Sequence, residues 1–421
     1  MLLPVLLVST ATASAQTPDQ AALAIRQEID QLRKDFDARV SALEMRLAAV
    51  EGGRPAATTP AVEAPPTAEV PQGAQGAGGP TDTLPIYGNV SAASKIFNPD
   101  VAVIGNFLGA VGKNHINPEP ALQLPESEVS LQAIVDPYAR ADFFISFGEE
   151  GVGIEEGFIT FPTLPGGLLA KVGRLRAAFG KVNTFHTHVT PWTDRPLVTD
   201  NLTGGEEGIA DAGISLARLI PNPWIFLEAT GQVFRGDSGE VFTSSKRGDL
   251  SYVGHLRGYH DITESTNLDL GFSYAYGHNP SGIGVSPDPS HFTTDLYGTD
   301  LTFRWRPLQR SIYRSFVGRS EFIWSRREQP NGLQTSSGFY VSADYQFGRR
   351  WFAGFRFDRS ERASEESARD LGQSFTLTYW PSEFSQIRGQ LRRIDYAEGE
   401  TATELLFQFL FSIGTHGAHP F

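Results

Sequence analysis

Cysteine is absent from this 421-residue sequence, which excludes a disulfide framework, thiolate metal sites and thiol catalysis together. Methionine occurs twice, and lysine is scarce beside arginine. Positive charge is in deficit: 35 Lys and Arg face 48 Asp and Glu, for a net charge of −13. No basic stripe is available to meet phosphates, so nucleic acid is not an expected partner. Long apolar runs are missing as well. No segment approaches the ~18 uninterrupted apolar residues of a membrane-spanning helix. Glycine (43 residues) and aromatic side chains (11%) are what the chain has in quantity.

The first residues, MLLPVLLVSTATASA, form a short apolar run ending in Ala13-Ser14-Ala15. That small-x-small ending marks residues 1–15 as an export signal peptide, although the usual basic start is missing. Residues 20–51 carry Ala22, Ile25, Ile29, Leu32, Phe36, Val40, Leu43, Leu47 and Val50 at steps of three and four, with charges between them. Such spacing predicts a helix that self-associates as a coiled coil; a lone amphipathic helix on a surface is the alternative. Residues 52–84 are Pro, Ala and Gly with almost no large apolar side chains. They cannot bury a core and read as a disordered linker.

From residue 86 to 421 the pattern changes to period two. Phe375-Thr376-Leu377-Thr378-Tyr379 and Leu268-Asp269-Leu270-Gly271-Phe272-Ser273-Tyr274 alternate apolar with polar. Strict alternation predicts half-buried strands. Sixteen segments can be counted, among them 98–110, 311–327 and 402–414. Most are longer than the five or six residues typical of globular strands. Tight turns such as DPY, PTLPG and PSEF alternate with connections that are mostly longer and polar, at 111–123, 236–249 and 279–290. The expectation is an all-β transmembrane antiparallel barrel of about sixteen strands in the bacterial outer membrane, apolar face to lipid and polar face to a lumen. A soluble β-sandwich would alternate too, but it would bury Arg, Asp, Glu and Gln in a dry core.

The segments FNPDVAVIGNFLGA (97–110), LPESEVSLQAIVDPYARADFFISFG (124–148) and EEGFITFPTLPGGLLAKVGRLRAAFGKVN (155–183) carry a family likeness. The chain resembles the porin superfamily that includes the phosphate-selective porins O and P. HTHVTPWTDRPLV and the run at 228–237 resemble a subgroup, some members of which are labelled zinc-regulated TonB-dependent outer membrane receptors. A TonB-dependent transporter has about 22 strands and a plugged lumen; a helix and a linker leave no room for a plug, so active uptake is not expected. Terminal Phe421 is in phase with Leu405, Phe407, Phe409, Phe411 and Ile413, like the aromatic end of many outer-membrane proteins.

With sixteen strands and a periplasmic start, residues 179–207 become the third external loop. In sixteen-stranded porins that loop folds inward, so the resemblance implies a constriction built from Phe185, His186, His188, Trp192, Asp194, Arg195, Glu206 and Glu207. His186 and His188 can begin a zinc or copper site if other ligands converge. His115, Asp194, His416 and His419 are candidates. The alternative is that both histidines hydrogen-bond the loop to the wall. By phase, Arg140, Asp142, Arg174, Arg176, Arg304, Arg319, Glu321, Arg356, Asp358, Arg388 and Arg392 face the lumen. They form either a ladder attracting anions or a salt-bridged wall.

No nucleophile, phosphate-binding loop or metalloprotease motif stands in a suitable context; Gly213-Ile214-Ser215-Leu216-Ala217 lies mid-strand, away from the strand–turn–helix a nucleophile elbow needs. Neither an enzyme nor a cofactor is expected. The expected function is passive diffusion of small hydrophilic solutes, anions among them, through a homotrimeric porin embedded in outer-membrane lipid. Two alternatives stand beside it: an envelope tether whose helix contacts peptidoglycan or a periplasmic partner, and a zinc-linked outer-membrane protein.

Overall fold

Along residues 401–414 the exposure pattern inverts that of a soluble strand: Leu405, Phe407 and Phe411 are exposed, while Glu404 and Gln408 in the alternate phase are buried. The computed structural model describes residues 99–148, 151–286 and 288–414. The expected signal peptide 1–15, helix 20–51 and linker 52–84 lie outside the described residues, as do His416, His419 and Phe421.

Among the described residues sixteen strands follow one another. The first eight are β1 (Asp100–Lys113), β2 (Leu122–Asp136), β3 (Ala139–Gly148), β4 (Gly151–Leu164), β5 (Leu168–Arg176), β6 (Ala210–Leu219), β7 (Phe226–Phe234) and β8 (Ser251–Thr263). Then come β9 (Thr266–His278), β10 (Thr293–Trp305), β11 (Ser315–Gln329), β12 (Gly332–Gly348), β13 (Trp351–Glu361), β14 (Arg369–Ser382), β15 (Ser385–Asp395) and β16 (Thr401–Gly414). Each pairs antiparallel with its sequence neighbours, and β1 pairs with β16, for example Phe107 opposite Phe409, to close the barrel. Closure leaves no unpaired edge, which a membrane demands of any sheet that spans it. Among the described residues no helix is long and apolar enough to cross a membrane.

Period-two alternation places Phe322, Val341, Phe355, Phe375 and Leu391 on the exposed outer face. Between them point inward Glu321, Ser342, Arg356, Ser374 and Gln390, all buried. Cross-strand aromatic contacts mark both ends of the outer face. Phe347, Trp351 and Tyr379 stack near the tight turns, and Tyr274, Tyr297 and Trp324 near the opposite rim. Such girdles sit at the two lipid–water interfaces of membrane barrels.

The inner face is not polar throughout. Phe234, Val253, Ala275, Leu296, Ile323 and Tyr340, one from each of β7 to β12, form an apolar strip. It packs against Phe179, Val182, Trp192, Val198 and Leu202 from the connection between β5 and β6. That strip seats the loop.

Candidate functional site: a loop inside the barrel

Residues 177–209 leave β5 and return to β6 through a neck closed by the Ala177 amide on the Ile209 carbonyl (2.8 Å) and by one side chain. Asn183 donates to the carbonyls of Ala177 (2.9 Å) and Ile209 (3.1 Å) and accepts from the Ile209 amide (2.8 Å). Two short 3-10 turns, Val182–Thr184 and Thr187–Val189, lead to a helix, α1 (Leu197–Thr203). Pro196 precedes it, and Gly204 ends it at φ 91°, a conformation suited to glycine. Gly180 stands at φ 59°, where a Cβ would run into the Glu321 carboxyl.

The loop is bonded to the inner wall around most of the barrel. Its amides at Ala178, Gly180 and Val182 donate to Gln232 of β7, Ser273 of β9 and Glu321 of β11. Lys181 meets Asp269 of β9 at 3.3 Å. The Leu197 amide donates to Asp358 of β13, and Asn201 to Asp370 of β14. On β15, Arg388 donates to the Trp192 carbonyl (2.8 Å), while Gln390 accepts from the Thr193 amide (2.9 Å). Arg195 braces the loop internally through the carbonyls of Val182 and Phe185.

Asp194 is the charged centre of this docking. Its carboxylate accepts from Arg356 of β13 (3.0 Å), Gln390 (2.6 Å) and Arg392 of β15 (3.2 Å). Burial works to raise its pKa, but Arg356 and Arg392 outweigh that and hold it at about 2. Trp192 is buried beside it, edge-on to Tyr340, with the Arg356 guanidinium 4.9 Å from its ring centre. Next to Asp194 a polar cavity of about 200 Å³ is lined by Asp200, Asn201, Asp370, Arg362 and Arg392.

Against β2 and β4 sits His186. Its Nδ1 lies 2.8 Å from Glu128 Oε2 of β2 and 3.0 Å from Glu155 Oε2 of β4, and its Nε2 lies 2.9 Å from Glu156 Oε2. Adjacent residues of a strand normally point to opposite faces. Here the β3–β4 register pairs Phe144 with Glu156 and Ile145 with Ile154, so Glu155 is an extra residue in a bulge. The bulge brings both carboxylates to one imidazole. Burial would lower the His186 pKa; hydrogen bonds to Glu128, Glu155 and Glu156 more than reverse this and hold it well above its ordinary value. His188, buried, places Nδ1 3.7 Å from Glu128 Oε2. Glu128, Glu155 and His186 are the described residues whose donor atoms could converge on a cation.

The residues singled out from sequence fall as follows. Arg140 pairs with Asp142 at 2.6 Å and Arg356 with Asp358 at 2.7 Å, each two residues apart. Arg319 instead bonds Asp344 of β12 at 2.7 Å, leaving Glu321 to the Val182 amide. Arg392 bonds Glu404 at 2.6 Å as well as Asp194. Arg304 stands 3.8 Å from Asp269, and Arg388 also reaches Thr378 and Gln408. Arg176 bonds Glu155 and the carbonyls of Glu206 and Glu207, whose side chains are exposed. Phe185 is buried, His115 exposed.

Arg174 departs from the expected inward set. It pairs with Gly157, which also pairs with the exposed Phe143, and therefore belongs to the outer phase. Apolar residues on both faces of β5 (Leu168, Leu169, Val172, Leu175) hide that phase in the sequence. Of the proposed extra metal ligands, Asp194 is taken by Arg356 and Arg392, far along the chain from the histidines' partners. Sequence reasoning passed over Glu128, Glu155, Glu156, Asp269, Asp344 and Glu404. All but Glu155 follow from strand phase; the bulge puts Glu155 out of reach of that rule.

No known family model matches the sequence. An uncharacterized protein of Aquifex aeolicus (strain VF5) is 30% identical over 390 residues, covering 78% of this chain and 81% of the relative. The chain belongs to the same family as that protein. Among solved structures it is similar to the anion-selective porin from Comamonas acidovorans (TM-score 0.52, 12% identity, 75% of this chain and 100% of that one). Pseudomonas putida OprB is similar too (0.52, 11%, 76% and 95%), as is the outer membrane channel DcaP of Acinetobacter baumannii (0.51, 10%, 75% and 96%). The chain thus has the fold of the outer-membrane porins, a closed sixteen-stranded antiparallel barrel.

Proposed function

We propose that this protein is an outer-membrane channel for passive diffusion of small hydrophilic solutes, with residues 177–209 as its constriction. One observation carries this: the loop is fastened inside the barrel, from Glu128 on β2 to Arg392 on β15. Chemistry plays no part. What passes is set by the width left beside the loop and by the charges lining it. The polar cavity beside Asp194, with charges of both signs, suits water and ions.

Ionic preference follows from how those charges pair. Arg140, Arg319, Arg356 and Arg392 are each bound by a carboxylate at 2.6–2.7 Å, and Arg176 by Glu155 at 3.0 Å. Guanidiniums satisfied in this way offer little to a passing anion, so we propose weak selectivity in place of the anion ladder that strand phase suggested. Reversal potentials in a KCl gradient test it: values near zero agree, and a strong anion preference contradicts. Adding phosphate to the same bilayer tests the finer likeness to phosphate-selective porins, which requires phosphate to block the chloride current. The homotrimer is carried over from the same resemblance, and mass measurement of the detergent-solubilised protein tests it.

A further inference from the structure

We propose that Glu128, Glu155 and His186, with His188 beside them, bind one divalent transition-metal ion that clasps the loop to β2 and β4. The bulge in β4 makes the site. Without the extra residue, Glu155 would face away from Glu156; with it, Glu155 Oε2 and Glu128 Oε2 flank the same ring nitrogen of His186. The donor atoms of these three residues lie within 4.8 Å of one another. Metal–ligand bonds of ~2.0–2.1 Å need donors roughly 3.3 Å apart in a tetrahedral site. To admit an ion, His186 Nδ1, now 2.8 and 3.0 Å from the two oxygens, would retreat by roughly half an ångström, and the two carboxylates would close to the same ~3.3 Å spacing.

The far side of the ring supplies the second reason. Glu156 Oε2 stands 2.9 Å from His186 Nε2, the carboxylate–imidazole contact that orients metal-binding histidines. A proton on Nε2 leaves the Nδ1 lone pair aimed at two carboxylate oxygens, which repels unless a cation lies between. One proton can serve that position only by a hydrogen bond shared between Glu128 and Glu155. A metal ion bonds both at once and draws His188 in as a further ligand. With His186 neutral as a ligand, three carboxylates against the Arg176 guanidinium on Glu155 leave two negative charges, the charge of one divalent ion. Imidazole and carboxylate donors together favour zinc, manganese, iron or cobalt over calcium or magnesium.

The test uses the full-length protein in detergent, stripped with chelator and titrated with Zn²⁺ calorimetrically, then with Co²⁺ while visible absorption is followed. The expected result is one Zn²⁺ per chain, weakened at least tenfold by Glu128→Gln and by Glu155→Gln. Cobalt should give d–d bands that His186→Gln abolishes, while Glu264→Gln, in the exposed β8–β9 turn, leaves both readouts unchanged. Heat-modified gel migration verifies that each variant is a folded barrel, and variants that fail it are replaced by His188→Gln. No Zn²⁺ bound by the intact chain, or binding indifferent to these substitutions in folded barrels, overturns the proposal. Conductance reports on the channel separately, since an open barrel conducts with or without the ion.

Discussion

Asp194, in a loop, and Arg356, in the middle of β13, are 162 residues apart and meet at 3.0 Å inside the barrel. The guanidinium is also bonded to Asp358 and to the Asp194 carbonyl. Arg356 is thus shared between holding its own strand's carboxylate and anchoring the loop.

Removing that anchor should be costly. Asp194→Ala leaves Arg356 with Asp358 and Arg392 with Glu404, so what is lost is charge-assisted hydrogen bonding, about 1.5–3 kcal/mol per bond. The expected outcome is faster proteolysis within 177–209 and noisier single-channel currents from a barrel that still folds. Asp194→Asn, which keeps acceptor capacity, should lie between the variant and the native protein.

Acid should have a graded version of the same effect. The Asp194 pKa is depressed from its ordinary 3.8 to about 2. Its ionised form therefore stabilises the docked loop above about pH 3.8, and that contribution, about 2 kcal/mol, is lost as pH falls through about 2. Hydrogen exchange of the loop amides should rise between pH 4 and 2, and the Asp194→Asn variant should lack that component.

Trp192 tests the apolar side of the docking. It is 1% exposed and packs against Tyr340, so Trp192→Ala should cost about 3–5 kcal/mol of loop stability. Trp224, 78% exposed, serves as the control: Trp224→Ala should leave loop exchange and conductance alone.

The outer face can be tested by charge. Phe355 and Leu391 are about half exposed in the outward phase. An arginine at the depth of the bilayer midplane costs about 2–4 kcal/mol. Leu391→Arg should slow insertion into lipid vesicles, whereas a polar change at the inward neighbour Gln390 should leave insertion unaffected.

Much of this was legible in the sequence because one rule governs a membrane barrel. Alternation with an apolar outer face located all sixteen strands. The largest displacement is four residues, at β11, expected from 311 and observed from Ser315. The inner apolar strip was not legible, since an inward Phe234 or Ile323 looks the same as an outward one. Nor could phase say that Arg319 would choose Asp344 over Glu321, because cross-strand pairing depends on register. Counting strands made 179–207 the third external loop, while its inward fold was only what the porin resemblance implied. Its partners on β2, β9, β13 and β15 did not, since contacts 58 to 198 residues apart leave no local signal.

Planar-bilayer conductance can be compared between the native protein and a variant with residues 185–207 replaced by a short Gly-Ser linker. The native protein should give discrete current steps, and the shortened variant should conduct several-fold more per step. No steps from the native barrel, or equal steps from the two proteins, would contradict a diffusion channel narrowed by this loop.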